Sequence, residues 1–159
     1  MISWVTRLLT KQLIDNYDLT RASTLAVIPV PHEETAKYGI IDPTMEIEDD
    51  IYAVRSFVEK PNAEDAPSIL AIVGRYLLKP EIFEIFENQE VDRGGEAQLT
   101  VAIDTLNRTR RVFALEFKGK RYDVGNKLGM LEANIEYVLT QPELKESLLE
   151  HFKHVVKRY

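Results

Sequence analysis

The segment Lys120-Arg121-Tyr122-Asp123-Val124-Gly125-Asn126-Lys127 carries the plainest chemical signal in the chain. Asp123 stands between a β-rich run, Arg111 to Phe117, and a helical one, Leu128 to Leu139, with Gly125 two positions on. A carboxylate at a strand end, followed by backbone able to approach a ligand, is how α/β enzymes hold a metal ion beside a phosphate. Asp-x-Gly is also ordinary turn chemistry. The motif therefore takes its meaning from its companions. Lys37-Tyr38-Gly39-Ile40-Ile41-Asp42 puts a glycine where a strand begins, and Val58-Glu59-Lys60-Pro61 ends one with opposite charges and a proline. Leu70-Ala71-Ile72-Val73-Gly74-Arg75-Tyr76 embeds Gly and Arg in an apolar strand, and Gly94-Gly95 runs into Glu96-Ala97-Gln98-Leu99-Thr100.

The elements that must position these residues alternate. Leu8, Leu9, Leu13, Ile14 and Tyr17 recur at helical spacing. Thr24 to Val30 is almost wholly apolar, which suits a strand covered on both faces of a mostly parallel sheet. Strands follow over Tyr38 to Asp42, Ile51 to Val58 and Ile69 to Leu78, with a polar loop at Pro61 to Pro67. Pro80 opens a short helix over Glu81 to Glu87. After a loop over Asn88 to Gly95, the pattern predicts a helix at Ala97 to Leu106, a strand at Val112 to Phe117, and helices at Lys127 to Thr140 and Pro142 to Lys157. The class is α/β, with room for antiparallel additions. Neither an internal repeat nor a low-complexity linker occurs.

Composition narrows the function. The 159 residues are 45% hydrophobic and 29% charged, the balance of a globular domain. A net charge of −6 argues against a general nucleic-acid or anionic-membrane binder, though it leaves room for a local basic pocket. With no cysteine there are no disulfides or thiolate metal sites. Arg7 and Lys11 interrupt the opening too early for a signal-peptide core. No run approaches the ~20 apolar residues that span a bilayer. The expected compartment is the cytoplasm. No Walker-type or dinucleotide-type glycine fingerprint is present. A chain opening on a helix and one buried strand reads as the later part of a larger sheet, with an open edge inviting self-association.

In order and spacing, these segments resemble the C-terminal half of bacterial UTP–glucose-1-phosphate uridylyltransferase, also called UDP-glucose pyrophosphorylase. Glu59-Lys60-Pro61 is shared across sugar-nucleotide pyrophosphorylases. Tyr38 to Asp42, Ala71 to Tyr76 and Lys120 to Lys127 together point to the UDP-glucose branch. The resemblance implies a Rossmann-like nucleotide-sugar transferase fold, a mixed sheet flanked by helices, whose N-terminal nucleotide-binding part is absent. Residues 1–7 match nothing in the family, and 8–159 form the sugar-phosphate-binding and oligomerisation half. The implied partners are glucose 1-phosphate and UTP or UDP-glucose in a homo-oligomer, with no nucleic acid and no membrane. The implied cofactor is Mg²⁺. Asp123 would be a catalytic metal ligand, and Lys60 would pair with the sugar phosphate as a catalytic point charge. Glu59 would accept hydrogen bonds from glucose hydroxyls, Gly39 would offer backbone to the sugar, and Gly74 would line the same pocket.

Each residue has a plainer reading. Glu59 and Lys60, as strand neighbours, would point to opposite faces of a solvated strand end. Gly94 and Gly95 would be a loop and helix entry, and Arg75 would pair with an acid. The histidines and the charges of the last helix would be solvated surface. Val101, where the family usually has Asp, and Ile69, where Asn is common, depart from the pattern. The expectation is a chain inactive by itself. The alternatives are a non-catalytic sugar-phosphate-binding or regulatory relative, and a thymidylyl- or adenylyl-transferase.

Overall fold

A run without a polar face has to be covered twice. Ser23–Pro29 is such a run, and everything in the larger part of the molecule is arranged about it. The computed structural model describes residues 2–4, 8–88 and 98–159. In chain order its elements are β1 (Ile2–Trp4), α1 (Leu9–Thr20), β2 (Ser23–Pro29), β3 (Gly39–Glu48), β4 (Ile51–Glu59) and β5 (Leu70–Leu77). There follow α2 (Glu81–Glu87), α3 (Leu99–Thr109), β6 (Val112–Glu116), β7 (Lys120–Tyr122), α4 (Lys127–Leu139) and α5 (Pro142–Val156). The result is an α/β fold with a mixed sheet and helices.

Two compact units divide the chain, the first being Leu9–Phe117. Its five strands close into a barrel in the order β2-β5-β3-β4-β6. Leu25, Ala26 and Val27 of β2 are wholly inaccessible. Leu25 and Val27 pack with Ile41, Ile72, Ile103 and Leu106 beneath α3. Ala26 turns the other way, toward Leu9, Leu13, Phe113 and Leu115. The strand is thus covered on both faces, as its composition demands.

Two expectations are corrected here. The sheet is not mostly parallel: β2 runs parallel to β6 alone and antiparallel to β5, and the other pairings are antiparallel. Nor does this sheet offer an open edge, because closure pairs the outermost strands with one another. β3 also runs well beyond Asp42, to Glu48, carrying Pro43 at a register shift where a missing N–H is tolerated. The short 3₁₀ turns at His32–Lys37 and Ala63–Asp65 lack the long periodicity that reveals helices in a sequence.

The second unit carries β1, β7, α4 and α5. β1 pairs antiparallel with β7, aligning Ile2 with Tyr122 and Trp4 with Lys120. In α4 only Gly129 and Ala133 are buried, and in α5 no residue is, so the charges of α5 do lie on an exposed face. No helix among the described residues is long and apolar enough to cross a membrane.

Ile103, with no exposed surface beneath α3, tests the account of the core. Ile103→Ala is expected to destabilise by roughly 2–5 kcal/mol in urea unfolding. Val156→Ala, at a side chain 75% exposed, should stay within about 0.5 kcal/mol of the parent. Equal effects would mean that the packing beneath α3 is not what holds this unit.

Candidate functional site

Three polar residues at positions i, i+4 and i+7 of α3 fasten that helix to β4. Asn107 donates from Nδ2 to the Val54 carbonyl at 2.9 Å, and its Oδ1 accepts from the Val112 N–H, also at 2.9 Å. Asp104 Oδ1 accepts the Phe57 N–H at 3.3 Å. One turn earlier, Thr100 Oγ1 donates to Glu59 Oε2 at 2.9 Å. Helix and strand are therefore laid side by side, and the carboxylate at the strand end is held against the first turn of α3. Backbone N–H groups left unpaired in such a turn favour a nearby anion.

Gly39 stands opposite Glu59 in the β3–β4 register and is itself buried. A Cβ there would come 2.9 Å from Glu59 Oε2 and 3.2 Å from Ile72 Cδ1. A side chain there would displace the carboxylate from this position, so the glycine leaves it room. Gly74 is required for a different reason. Between Leu25 and Val27 of β2 the partner strand steps from Tyr76 to Ile72, a β-bulge, and Gly74 sits within it at φ +70°. A Cβ at Gly74 would meet nothing within 4 Å. Beyond the bulge lies Tyr76, whose phenol is raised above its usual pKa, by burial first and then by the charge of Glu59.

Lys60 corrects the picture of two strand neighbours on opposite faces. β4 ends at Glu59, and Lys60 adopts φ +45°, a conformation that side-chain-bearing residues rarely take. Its N–H donates to the Tyr38 carbonyl at 3.0 Å, and Pro61 behind it is buried. Among the described residues no carboxylate pairs with its ammonium. Arg75 donates from Nη1 to the Gly74 carbonyl at 3.0 Å. Ile69 and Val101 are exposed. Gly94 and Gly95 lie outside the described residues.

Asp123 belongs to the second unit, directly after β7, a strand too short to show in the sequence pattern. Gly125 N–H donates to its Oδ1 at 3.0 Å, and Asn126 Nδ2 reaches its carbonyl at 3.2 Å and its Oδ2 at 3.3 Å. The Gly125 N–H, then the Asn126 amide, hold its carboxyl below the ordinary range. Asn126 also caps α4, accepting the Gly129 N–H at 2.8 Å. No group of three acidic or histidine side chains suited to a metal occurs among the described residues. An exposed, ionised carboxylate with a lone pair left on each oxygen fits one ligand of a divalent ion that draws its others from phosphates and water. It does not form a cation cage by itself.

Thr100 and Tyr76 are the residues that sequence reasoning passed over. The polar stripe Thr100, Asp104 and Asn107 was the available signal for the first, and the bulge glycine for the second.

The family described as nucleotidyl transferase matches residues 5–139, and the chain belongs to it. The UTP–glucose-1-phosphate uridylyltransferase of Streptococcus pneumoniae is 61% identical over 140 residues, 88% of this chain and 47% of the relative. Uridylyltransferase 2 of Streptococcus pyogenes serotype M3 is 59% identical over the same shares. The chain spans about half the length of the curated relatives it matches. Among solved structures, UDP-glucose pyrophosphorylase complexed with UDP-glucose is 40% identical with a TM-score of 0.78, over 88% of this chain and 53% of that one. UTP-bound UGPase from Acinetobacter baumannii is 35% identical, also with a TM-score of 0.78, over 89% and 48%.

Two measurements check the geometry. Raised above the ordinary value of about 10, the Tyr76 phenol contributes stability at lower pH that is lost as pH rises through its folded-state pKa. Glu59→Gln should lower the pH at which Tyr76 ionises in ultraviolet difference spectra, with Tyr76→Phe assigning the signal; an unmoved titration would separate the two side chains. At Gly129 a Cβ would fall 2.1 Å from the Asp123 carbonyl oxygen. Gly129→Ala should accordingly speed amide exchange through the first turn of α4. Unchanged protection there would contradict the cap.

Proposed function

We propose that the chain, over 8–159, is the carboxyl-terminal, sugar-phosphate-binding and oligomerisation half of a UTP–glucose-1-phosphate uridylyltransferase. The reaction is UTP plus glucose 1-phosphate to UDP-glucose plus pyrophosphate. The carrying observation is the Glu59 carboxylate, fixed by Thr100, hemmed by a glycine that leaves room beside it, and followed by a lysine with no acidic partner among the described residues. Similarity to uridylyltransferases over 88% of the chain supports the same reading.

On this reading a glucose 1-phosphate oxygen attacks the α-phosphorus of UTP in line, and pyrophosphate leaves. Such chemistry requires alignment and charge neutralisation more than covalent help. Glu59 uses Oε2 to hold Thr100, and Oε1, without a partner among the described residues, accepts from sugar hydroxyls. Gly39 lets the sugar approach the backbone. Gly74 shapes the β5 bulge along the same wall. Lys60 meets the sugar phosphate with a point charge. Asp123, ionised through its turn hydrogen bonds, would be one ligand for Mg²⁺, which when bound offsets phosphate charge. A homo-oligomer fits Leu128, Met130, Leu131 and Leu144, apolar side chains left exposed on α4 and α5. The proposed compartment is the cytoplasm. A second reading, a non-catalytic sugar-phosphate binder, is favoured by the local hydrogen bonds on both Asp123 oxygens.

Calorimetric titration with glucose 1-phosphate, with and without Mg²⁺, tests these roles. Saturable binding is expected, weakened at least tenfold by Lys60→Ala. Asp123→Ala should remove only the gain conferred by Mg²⁺. Binding indifferent to both Mg²⁺ and Asp123→Ala favours the second reading, and no binding by folded protein removes both. The 159 residues hold no glycine-rich phosphate loop. The chain alone should therefore form no UDP-glucose from UTP and glucose 1-phosphate, and turnover within tenfold of a full-length relative would contradict that.

A further inference from the structure

The first unit contains a cavity of about 290 Å³ that shares no residue with the Glu59 cluster. It opens where β2 and β6 begin side by side, at Ser23 and Val112, and where β5 ends opposite Thr24. Gly39 adjoins the other end of β2, through the Ile40–Ala71 and Ala71–Ile28 pairings. Its volume approaches the lower bound of small-molecule sites. Leu106 and Phe113 supply an apolar floor.

Its charge is out of keeping with the chain. Arg21, Lys79, Arg110 and Arg111 line it against a single carboxylate, Glu81, although the protein as a whole carries a net charge of −6. Glu81 is 3.6 Å from Lys79, and its own backbone N–H, then Lys79 and Arg110, keep it ionised. Arg21 meets Asp18 at 3.1 Å on the exposed side. Among the described residues no ion pair holds Arg110 or Arg111. Like charges gathered round a concavity repel unless an anion sits among them.

Two further observations point the same way. Ser23, 3% exposed, accepts the Lys79 N–H on its Oγ at 3.0 Å, which leaves its own hydroxyl proton uncommitted among the described residues. Arg21 follows α1 at φ +54°, its N–H donating to the Tyr17 carbonyl at 2.7 Å. Glycine is the usual residue at such a helix end. Here a long cation accepts the strained conformation and stands at the cavity rim.

We propose that this cavity is a second anion site, separate from the Glu59 cluster, and that it takes a small phosphate-bearing molecule. Paired guanidinium forks match phosphate oxygens in a way that one ammonium does not. The apolar floor and the volume suit a compact phosphorylated metabolite better than a bare ion. The inference stands whether or not the uridylyl-transfer reading does.

The test is calorimetric titration of the full 159-residue chain with inorganic pyrophosphate, in parallel with variants. Saturable binding is expected, weakened at least tenfold by the double substitution Arg110→Ala and Arg111→Ala and little changed by Lys60→Ala. Arg21→Gly should weaken binding at least threefold while leaving the melting temperature equal or higher, since glycine relieves the backbone. That pairing separates a binding role from a structural one. Absence of saturable binding overturns the proposal, as does unchanged affinity in the double variant. Loss of all binding on Lys60→Ala also overturns it, because the pyrophosphate would then occupy the Glu59 cluster.

Discussion

The fastening of α3 to β4 is the constraint on which the first unit's chemistry depends. Ala102, Ile103 and Leu106 drive the helix onto the barrel, but burial of apolar surface is non-directional and would tolerate a rotated or slipped helix. Directional hydrogen bonds do not. Asn107 to the β4 carbonyl, the Phe57 N–H to Asp104, and Thr100 to Glu59 fix rotation and axial position together. Without them Glu59, exposed at the end of its strand, would be free to sample rotamers. With them it becomes an acceptor of set orientation beside a helix start.

Strained backbone collects around the same chemistry. Among the described residues three non-glycine ones have positive φ: Arg21, Asp50 and Lys60. Asp50 sits in the tight connection between β3 and β4, where aspartate is at home. The other two have no such excuse, and each such residue costs roughly 1–3 kcal/mol. Both are cations. One follows Glu59 and the other rims the basic cavity. Gly74 reaches a similar conformation without strain and thereby re-aims β5 so that Tyr76 lies near Glu59.

Much of the fold was legible in the residues. The almost wholly apolar Thr24 to Val30 run announced a doubly covered strand, and the long periodic segments gave α1, α4 and α5 within a few residues. Strand direction was not legible. A continuous apolar run suits a parallel neighbour, but β2 has one parallel and one antiparallel partner, and burial is satisfied equally by either. Barrel closure was equally hidden, since it depends on pairings between segments far apart in the chain. β7, at three residues, is too short for any alternation to register.

The sequence by itself determined which atoms are available: the Glu59-Lys60-Pro61 and Asp123-Val124-Gly125-Asn126 groups, the glycines, and the absence of thiols. Local chemistry sufficed there, because a carboxylate followed by a glycine N–H forms its own turn, and that turn duly formed at Asp123. Tertiary structure alone decided that Gly39, Glu59, Ile72 and Thr100 meet, and that Arg21, Lys79, Arg110 and Arg111 surround one cavity. Such meetings are set by strand register and helix docking, which are properties of non-local packing and leave no periodic trace in the order of residues.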